Sequence, residues 1–273
     1  MIEFGKYEAL GNDFVIVDAR RTGFDPSPDQ VSQLGHRRLG IGFDQLLILR
    51  HSDHAAVQID IHNHDGSPAE QCGNGMRAVA LYLHLHGEMT DTAELETRAG
   101  PVEVVFEDAD RISATLPPPA RPLDTGQQWL EQRHGKDLEL NYVDLGNPHL
   151  VIELAEPATS SLLVDIGQEF SQYPALPHGA NVSLAHVPDP RHISLSVYER
   201  GAGPTLACGS GACATAVSMM RRKRVGPTVQ VDQPGGRLVI DWSGEGRGIT
   251  MTGPARRVFA GTIDLDPLRS PSG

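Results

Sequence analysis

The chain has 273 residues, 39% of them hydrophobic, which suits one large domain or two of ordinary size with a sizeable core. Its net charge of −12 argues against a nucleic-acid or anionic-membrane partner. No apolar run approaches the ~20 residues of a membrane span, no secretory signal opens the chain, and three cysteines are too few for a disulfide framework, so a cytoplasmic protein is expected.

In chain order, alternating or continuous apolar stretches predict strands at FVIVDA (14–19), QLLILR (45–50), AVQIDIHN (56–63), PVEVVFE (101–107) and RISATLP (111–117). Residues 30–38 read as a helix. Residues 74–86 read as a second helix, apolar almost all round and therefore buried. LPPPARP (116–122) has four prolines, each without a backbone donor, and reads as a linker. Beyond it, NYVDL, HLVIELA, NVSLAHV, HISLSVYE, TVQVD, RLVIDW and GITMTG read as strands, and 211–222 as another buried helix. The basic run Arg221, Arg222, Lys223 and Arg224 closes that helix, where the dipole favours cations; it reads as a helix end rather than a binding patch.

The two buried helices begin on nearly the same seven residues, CGNGMRA (72–78) and CGSGACA (208–214). LGNDFVIV (10–17) likewise resembles LGNPHLVI (145–152). From Asn12 to Cys72 is 60 residues and from Asn147 to Cys208 is 61; nine residues before each cysteine stands a polar residue, Asn63 and then Glu199. This internal repeat predicts two similar halves: residues 1–116, completed by the tail 262–273, and residues 117–261. The expected fold class is α+β (α/β), with two pseudo-symmetric domains, each a curled, mostly antiparallel sheet around a central helix.

Each repeated cysteine is predicted at a strand-to-helix turn. There the helix dipole and free N–H groups favour an anion and lower a thiol pKa. A thiolate and a thiol on opposite faces of one carbon can remove a proton and return one, which inverts an amino-acid α-carbon. Helix-start donors on the carboxylate would stabilise the carbanion as an oxyanion hole does. Pyridoxal chemistry needs a Schiff-base lysine, and none of Lys6, Lys136 and Lys223 lies in a phosphate-binding glycine context, so no cofactor is expected. His62 and His64 would share a strand face near His51 and His54, but no acidic or cysteine partner completes a ligand set, so no metal is expected. Cys213 falls inside the second buried helix and reads as a small core residue.

ALGNDFVIVD, GIGFDQLLIL, NHDGSPAEQCGNGMRA, LGNPHLVI, ANVSLAHV, VYERGAGPTLACGSGACA and PGGRLVIDW together resemble diaminopimelate epimerase, in order and over nearly the whole chain. The resemblance implies a cofactor-independent isomerase that interconverts LL- and meso-diaminopimelate for lysine and peptidoglycan-precursor synthesis. It also implies an active site in the cleft between two similar domains, and a homodimer. Carried over by position, it makes Cys72 and Cys208 the acid/base pair, with His149 and Glu199 assisting. Gly73, Asn74, Gly209 and Ser210 would clasp the reacting end of the substrate. Asn12, Gln45, Asn63, Asn147, Asn181, Glu199 and Arg200 would line its pocket, Arg200 gripping the distal carboxylate with its planar fork. A second reading keeps the reaction but changes the substrate to histidine or another polar amino acid. A third is a thiol-based binding or redox module.

Overall fold

The computed structural model of the chain describes residues 1–120, 128–133, 136–174, 176 and 179–264. Residues 121 and 122 of the proline-rich stretch, and 265–273 of the tail, lie outside the described residues. The chain forms two compact units: Met1–Ala114 joined by the chain from Gly253, and Thr115–Thr252.

Elements in the first unit run β1 (Ile2–Ala9), β2 (Asn12–Asp18), α1 (Ala19–Thr22), α2 (Pro28–Gly35), β3 (Gln45–Arg50), β4 (Val57–Asn63), β5 (Pro68–Ala69), α3 (Gly73–Leu85), β6 (Thr92–Thr97), β7 (Gly100–Asp108) and β8 (Arg111–Leu116), which runs into the second unit. The second unit continues with β9 (Gln128–Arg133), β10 (Lys136–Asp144), β11 (Pro148–Leu154), α4 (Ser160–Phe170), β12 (Asn181–Asp189), β13 (His192–Glu199), β14 (Gly203–Thr205), α5 (Gly209–Arg221), β15 (Thr228–Gln233), β16 (Gly236–Asp241) and β17 (Ile249–Gly253). Finally β18 (Arg256–Ile263) returns to pair antiparallel with β1 of the first unit. The whole of β18 makes this return, so the chain re-enters the first unit at Gly253, ahead of the 262 expected from sequence.

The repeat is explicit in the pairing. In the first unit β1 pairs antiparallel with β2, β2 parallel with β3, β3 antiparallel with β4, β4 parallel with β6, and β6 antiparallel with β7, while the short β5 clips onto β4. The second unit repeats the series step for step with β10, β11, β12, β13, β15 and β16, and β14 clips onto β13. Each half is thus mostly antiparallel with two parallel steps. Each parallel step is bridged by a helix, as parallel pairing requires.

Burial explains the strand sequences. On β2, Phe14 and Ile16 pack on the α3 side while Val15 and Val17 pack under α2; on β3, Leu47 and Leu49 divide from Leu46 and Ile48 in the same way. A sheet covered on both faces needs continuous apolar runs, and FVIV and LLIL supply them. From Gly73 to Leu83 every residue of α3 is buried. In the second unit Leu150, Ile152, Val182 and Leu184 face α4, leaving His149, Val151, Ser183 and Ala185 on the opposite, α5 face.

Helix α4 was not predicted. Thr159 caps it, accepting from Leu162 N at 3.3 Å, and Leu163, Ile166, Gly167 and Phe170 form one buried stripe at helical spacing. A methyl group at Gly167 would collide with the Tyr198 ring on β13. Gly167→Ala is therefore expected to destabilise the protein by about 2 kcal/mol, read by denaturant unfolding; wild-type stability would mean that the ring swings clear. The basic run behaves as a helix end: Arg221 pairs with Glu245 at 2.7 Å and lies over Trp242, while Arg222 and Arg224 both reach Glu153.

Candidate active site

Both repeated cysteines are helix N-caps. Cys72 precedes α3 with extended φ/ψ of −148° and 100°, and its Sγ accepts the Gly75 N–H at 3.4 Å. Cys208 precedes α5 at −124° and 111°, and its Sγ accepts the Gly211 N–H at 3.3 Å. Sulfur thus takes the place usually held by a serine or aspartate oxygen. A Cβ at Gly211 would stand 3.2 Å from this sulfur and 3.1 Å from Val197, so glycine at the third helical position leaves the thiol its room. The helices begin at Gly73 and Gly209, earlier than the 74 and 211 predicted.

Around each cap the sheet presents the same three positions on the helix-facing side. In the first unit these are Asn12 at the start of β2, Gln45 at the start of β3 and Asn63 at the end of β4; Gln45 pairs in register with Asn63, and its Nε2 donates to Asn63 Oδ1 at 3.1 Å. In the second they are Asn147 just before β11, Asn181 at the start of β12 and Glu199 at the end of β13. Here Asn181 stands beside His149, as Gln45 stands beside Phe14.

Side-chain bonds tie each set to its cysteine. Asn12 Nδ2 donates to Asp44 Oδ2 at 2.8 Å, which turns Asn12 Oδ1 toward Asn74 Nδ2 at 3.4 Å and Cys72 Sγ at 3.9 Å. Asp44 is held in turn by Arg37, which also grips Asp13. Burial draws the Asp13 carboxyl upward, but hydrogen bonds and charge from Arg37 and Lys6 outweigh it and bring it to about 2. In the second unit Asn147 Nδ2 donates to Ser210 Oγ at 3.2 Å, and Ser210 Oγ lies 3.5 Å from Cys208 Sγ. Asn147 Oδ1 meets His149 Nε2 at 3.3 Å, and the Cys208 N–H donates to Gln233 Oε1 at 2.8 Å. Asn181 Oδ1 accepts the Arg200 N–H at 2.9 Å, and Glu199 accepts from Thr205 Oγ1 at 2.6 Å. The Arg200 side chain is exposed, whereas His149 and Asn74 are buried.

Sequence reasoning missed three supports: Asp44, which orients Asn12; Gln233, which anchors the Cys208 backbone; and Thr205, on Glu199. Asp44 adjoins the predicted Gln45, but its partner lies 32 residues away in sequence, and only the sheet register joins them.

Burial alone drives the His149 pKa down to about 3, so the ring is neutral in the folded protein. An unfolded chain binds that proton near pH 6.5. Stability from the neutral ring is therefore full above about pH 6.5 and is lost as pH falls toward 3, by up to about 1.4 kcal/mol per pH unit. His149→Gln should flatten the acid side of the stability–pH curve in denaturant titrations. Equal slopes for the two proteins would show that His149 protonates freely in the fold.

A separate hollow of about 400 Å³, lined by Tyr7, Asp18, Arg21, Tyr82, His86 and Arg257 among others, lies at the far end of α3 from Cys72. None of the site residues expected from sequence lines it. Among the described residues no group of three or more histidine, cysteine, aspartate or glutamate side chains is placed to hold a metal ion. No helix among them is long and apolar enough to cross a membrane.

A family model described as diaminopimelate epimerase matches this chain at residues 4–118 and again at 141–258, one copy on each half of the repeat. The chain belongs to the diaminopimelate epimerase family. A diaminopimelate epimerase from Thioalkalivibrio sulfidiphilus is 40% identical to it over 97% of this chain and 99% of its own length. Another, from Ectopseudomonas mendocina, is 37% identical over 97% of this chain and 100% of its own. Among solved structures, a probable proline racemase from Agrobacterium radiobacter K84 superposes with a TM-score of 0.75 at 15% identity, covering 98% of this chain and 94% of that one. At that identity the likeness speaks for the fold alone, the sheet-dominated α+β architecture.

Proposed function

We propose that this member of the diaminopimelate epimerase family interconverts LL- and meso-diaminopimelate without a cofactor, in lysine and peptidoglycan-precursor synthesis. Cys72 and Cys208 serve as the acid/base pair on one α-carbon. The observation that carries the reading is the duplicated cap: two ionisable sulfurs, each at the positive end of a buried helix and each beside free first-turn donors. One sulfur takes the α-proton while the other delivers a proton to the opposite face. Amides at Gly73, Asn74, Gly209 and Ser210 hold the carboxylate and spread the carbanion charge. Amide side chains at Asn12, Gln45, Asn63, Asn147 and Asn181 orient the rest of the substrate. Glu199 accepts from its ammonium, and Arg200 takes the distal carboxylate.

Thiol chemistry of this kind needs a reducing compartment, which supports a cytoplasmic enzyme. A homodimer is supported by β18, which leaves Val258 and Phe259 exposed on a strand beside β1.

Incubation with LL-diaminopimelate in D2O tests the reaction. Deuterium should enter one α-carbon with inversion. Exchange confined to another amino acid such as histidine would reassign the substrate, and no exchange with any amino acid would leave a thiol-based binding module.

A further inference from the structure

The two caps are alike, but the side chains behind them differ in a way that distinguishes the sulfurs. In the first unit the Asp44 carboxylate can only accept, so it fixes the Asn12 amide with Nδ2 toward itself and Oδ1 toward Cys72. A carbonyl oxygen facing a sulfur suits an S–H donor and repels a thiolate.

In the second unit the support is His149, standing in the row where the first unit has Phe14. His149 Nδ1 is buried and meets no partner among the described residues. A buried lone pair without a partner is tolerated better than a buried N–H without one, so the ring proton sits on Nε2. Nε2–H then donates to Asn147 Oδ1, and Asn147 Nδ2–H donates to Ser210 Oγ. With that oxygen accepting, the Ser210 hydroxyl is free to give its proton to Cys208 Sγ, 3.5 Å away. Together with the Gly211 N–H, Cys208 Sγ thus receives two donors, the arrangement that favours a thiolate.

We propose that the resting enzyme carries its negative sulfur at Cys208 and its exchangeable proton on Cys72, and that Ser210 is the positioning residue that sets this difference. The proposal rests on the acid/base reading above. Cys208 S⁻ takes the α-proton and becomes a thiol as the C–H pair passes to the carbanion. That pair then takes the Cys72 proton on the other face, leaving a Cys72 thiolate. Substrate and product differ only in configuration, and the enzyme returns to rest when one proton passes from Cys208 to Cys72 through solvent.

Most charged groups on the elements packed around α5 are engaged with partners of their own; the Glu199 carboxylate, standing where the first unit has neutral Asn63, is the one that works against a thiolate at Cys208, and the two donors must outweigh it. On β10 Asp144 accepts from Tyr142, on β13 Glu199 accepts from Thr205, and on β15 and β16 Asp232 and Arg237 pair with each other. Around α3, Lys6, Asp13, Arg37 and Asp44 form one ion-pair cluster in which Asp44 touches Asn12.

The test is iodoacetamide alkylation of the free full-length protein from about pH 5 to about pH 10, with each cysteine's rate followed by peptide mapping, because the pH midpoint reports ionisation whatever the access. Cys208 should show the lower midpoint. Ser210→Ala should raise it by about one pH unit, a tenfold change in proton affinity, leave the Cys72 midpoint in place, and move the acid limb of the kcat/KM profile by the same amount. Ser210→Thr, which keeps the hydroxyl, should restore the wild-type midpoint. A lower midpoint at Cys72, or a Cys208 midpoint unmoved in Ser210→Ala, overturns the assignment. Neither result touches the two-cysteine reading, which stands or falls on the cysteine variants themselves.

Discussion

Cys72→Ser and Cys208→Ser are each expected to lower epimerase turnover by about a thousandfold or more, the scale of a lost general acid or base. A serine hydroxyl is a far poorer base than a thiolate near neutrality. Folding should survive, because Ser Oγ is a better N-cap than Sγ and can still accept from Gly75 N or Gly211 N. The measurement pairs α-proton exchange in D2O with the unfolding midpoint for each variant. Wild-type exchange in either variant would end the two-thiol mechanism. A lost fold with lost exchange would instead assign the cysteine a structural role.

Arg200→Lys is expected to reduce kcat/KM for diaminopimelate by about tenfold to a hundredfold, because a point charge cannot reproduce the two parallel bonds of a guanidinium on a carboxylate. The backbone at Arg200 is fixed by its N–H bond to Asn181 Oδ1, while its side chain is exposed. The loss should therefore fall on substrate recognition and leave stability alone. A diaminopimelate analogue lacking the distal carboxylate should lose rate with the wild type and show no further loss with the variant. Equal kinetics for the wild type and Arg200→Lys on diaminopimelate would make this side chain a solvated surface cation.

Much of this architecture is legible in the sequence because the repeat leaves several marks in step. Asn12 and Asn147, Asn63 and Glu199, and Cys72 and Cys208 occupy matching places in two halves with the same pairing series. Strands β2 and β3 could be read because both faces of that sheet are covered, so every residue of FVIV and LLIL had to be apolar. By contrast, β18 leaves Arg256 to Ala260 exposed and shows no alternation, and β5 and β14 are too short to carry a pattern. In α4, Gly167 interrupts an otherwise periodic stripe because Tyr198 occupies the space a side chain would fill. Site residues carrying the repeat could be found; their supports could not. Asp44 and Gln233 act through partners 32 and 25 residues away, and no local rule links them.

The use of sulfur as a helix cap has a consequence for the energy of the two protonation states. A thiolate accepts the Gly75 or Gly211 N–H more strongly than a thiol does, so a cysteine that loses its proton tightens the first turn of its own helix. The cysteine that gains the proton loosens its helix. In the proposed inversion the tighter turn passes from one helix start to the other, so that what one loses the other regains in kind. A catalyst that must serve both configurations with equal ease gains from such a counterpoise. Which of the two protonation arrangements is the resting one is then set by the few side chains that break the symmetry, Asp44 behind one cap and Ser210 beside the other.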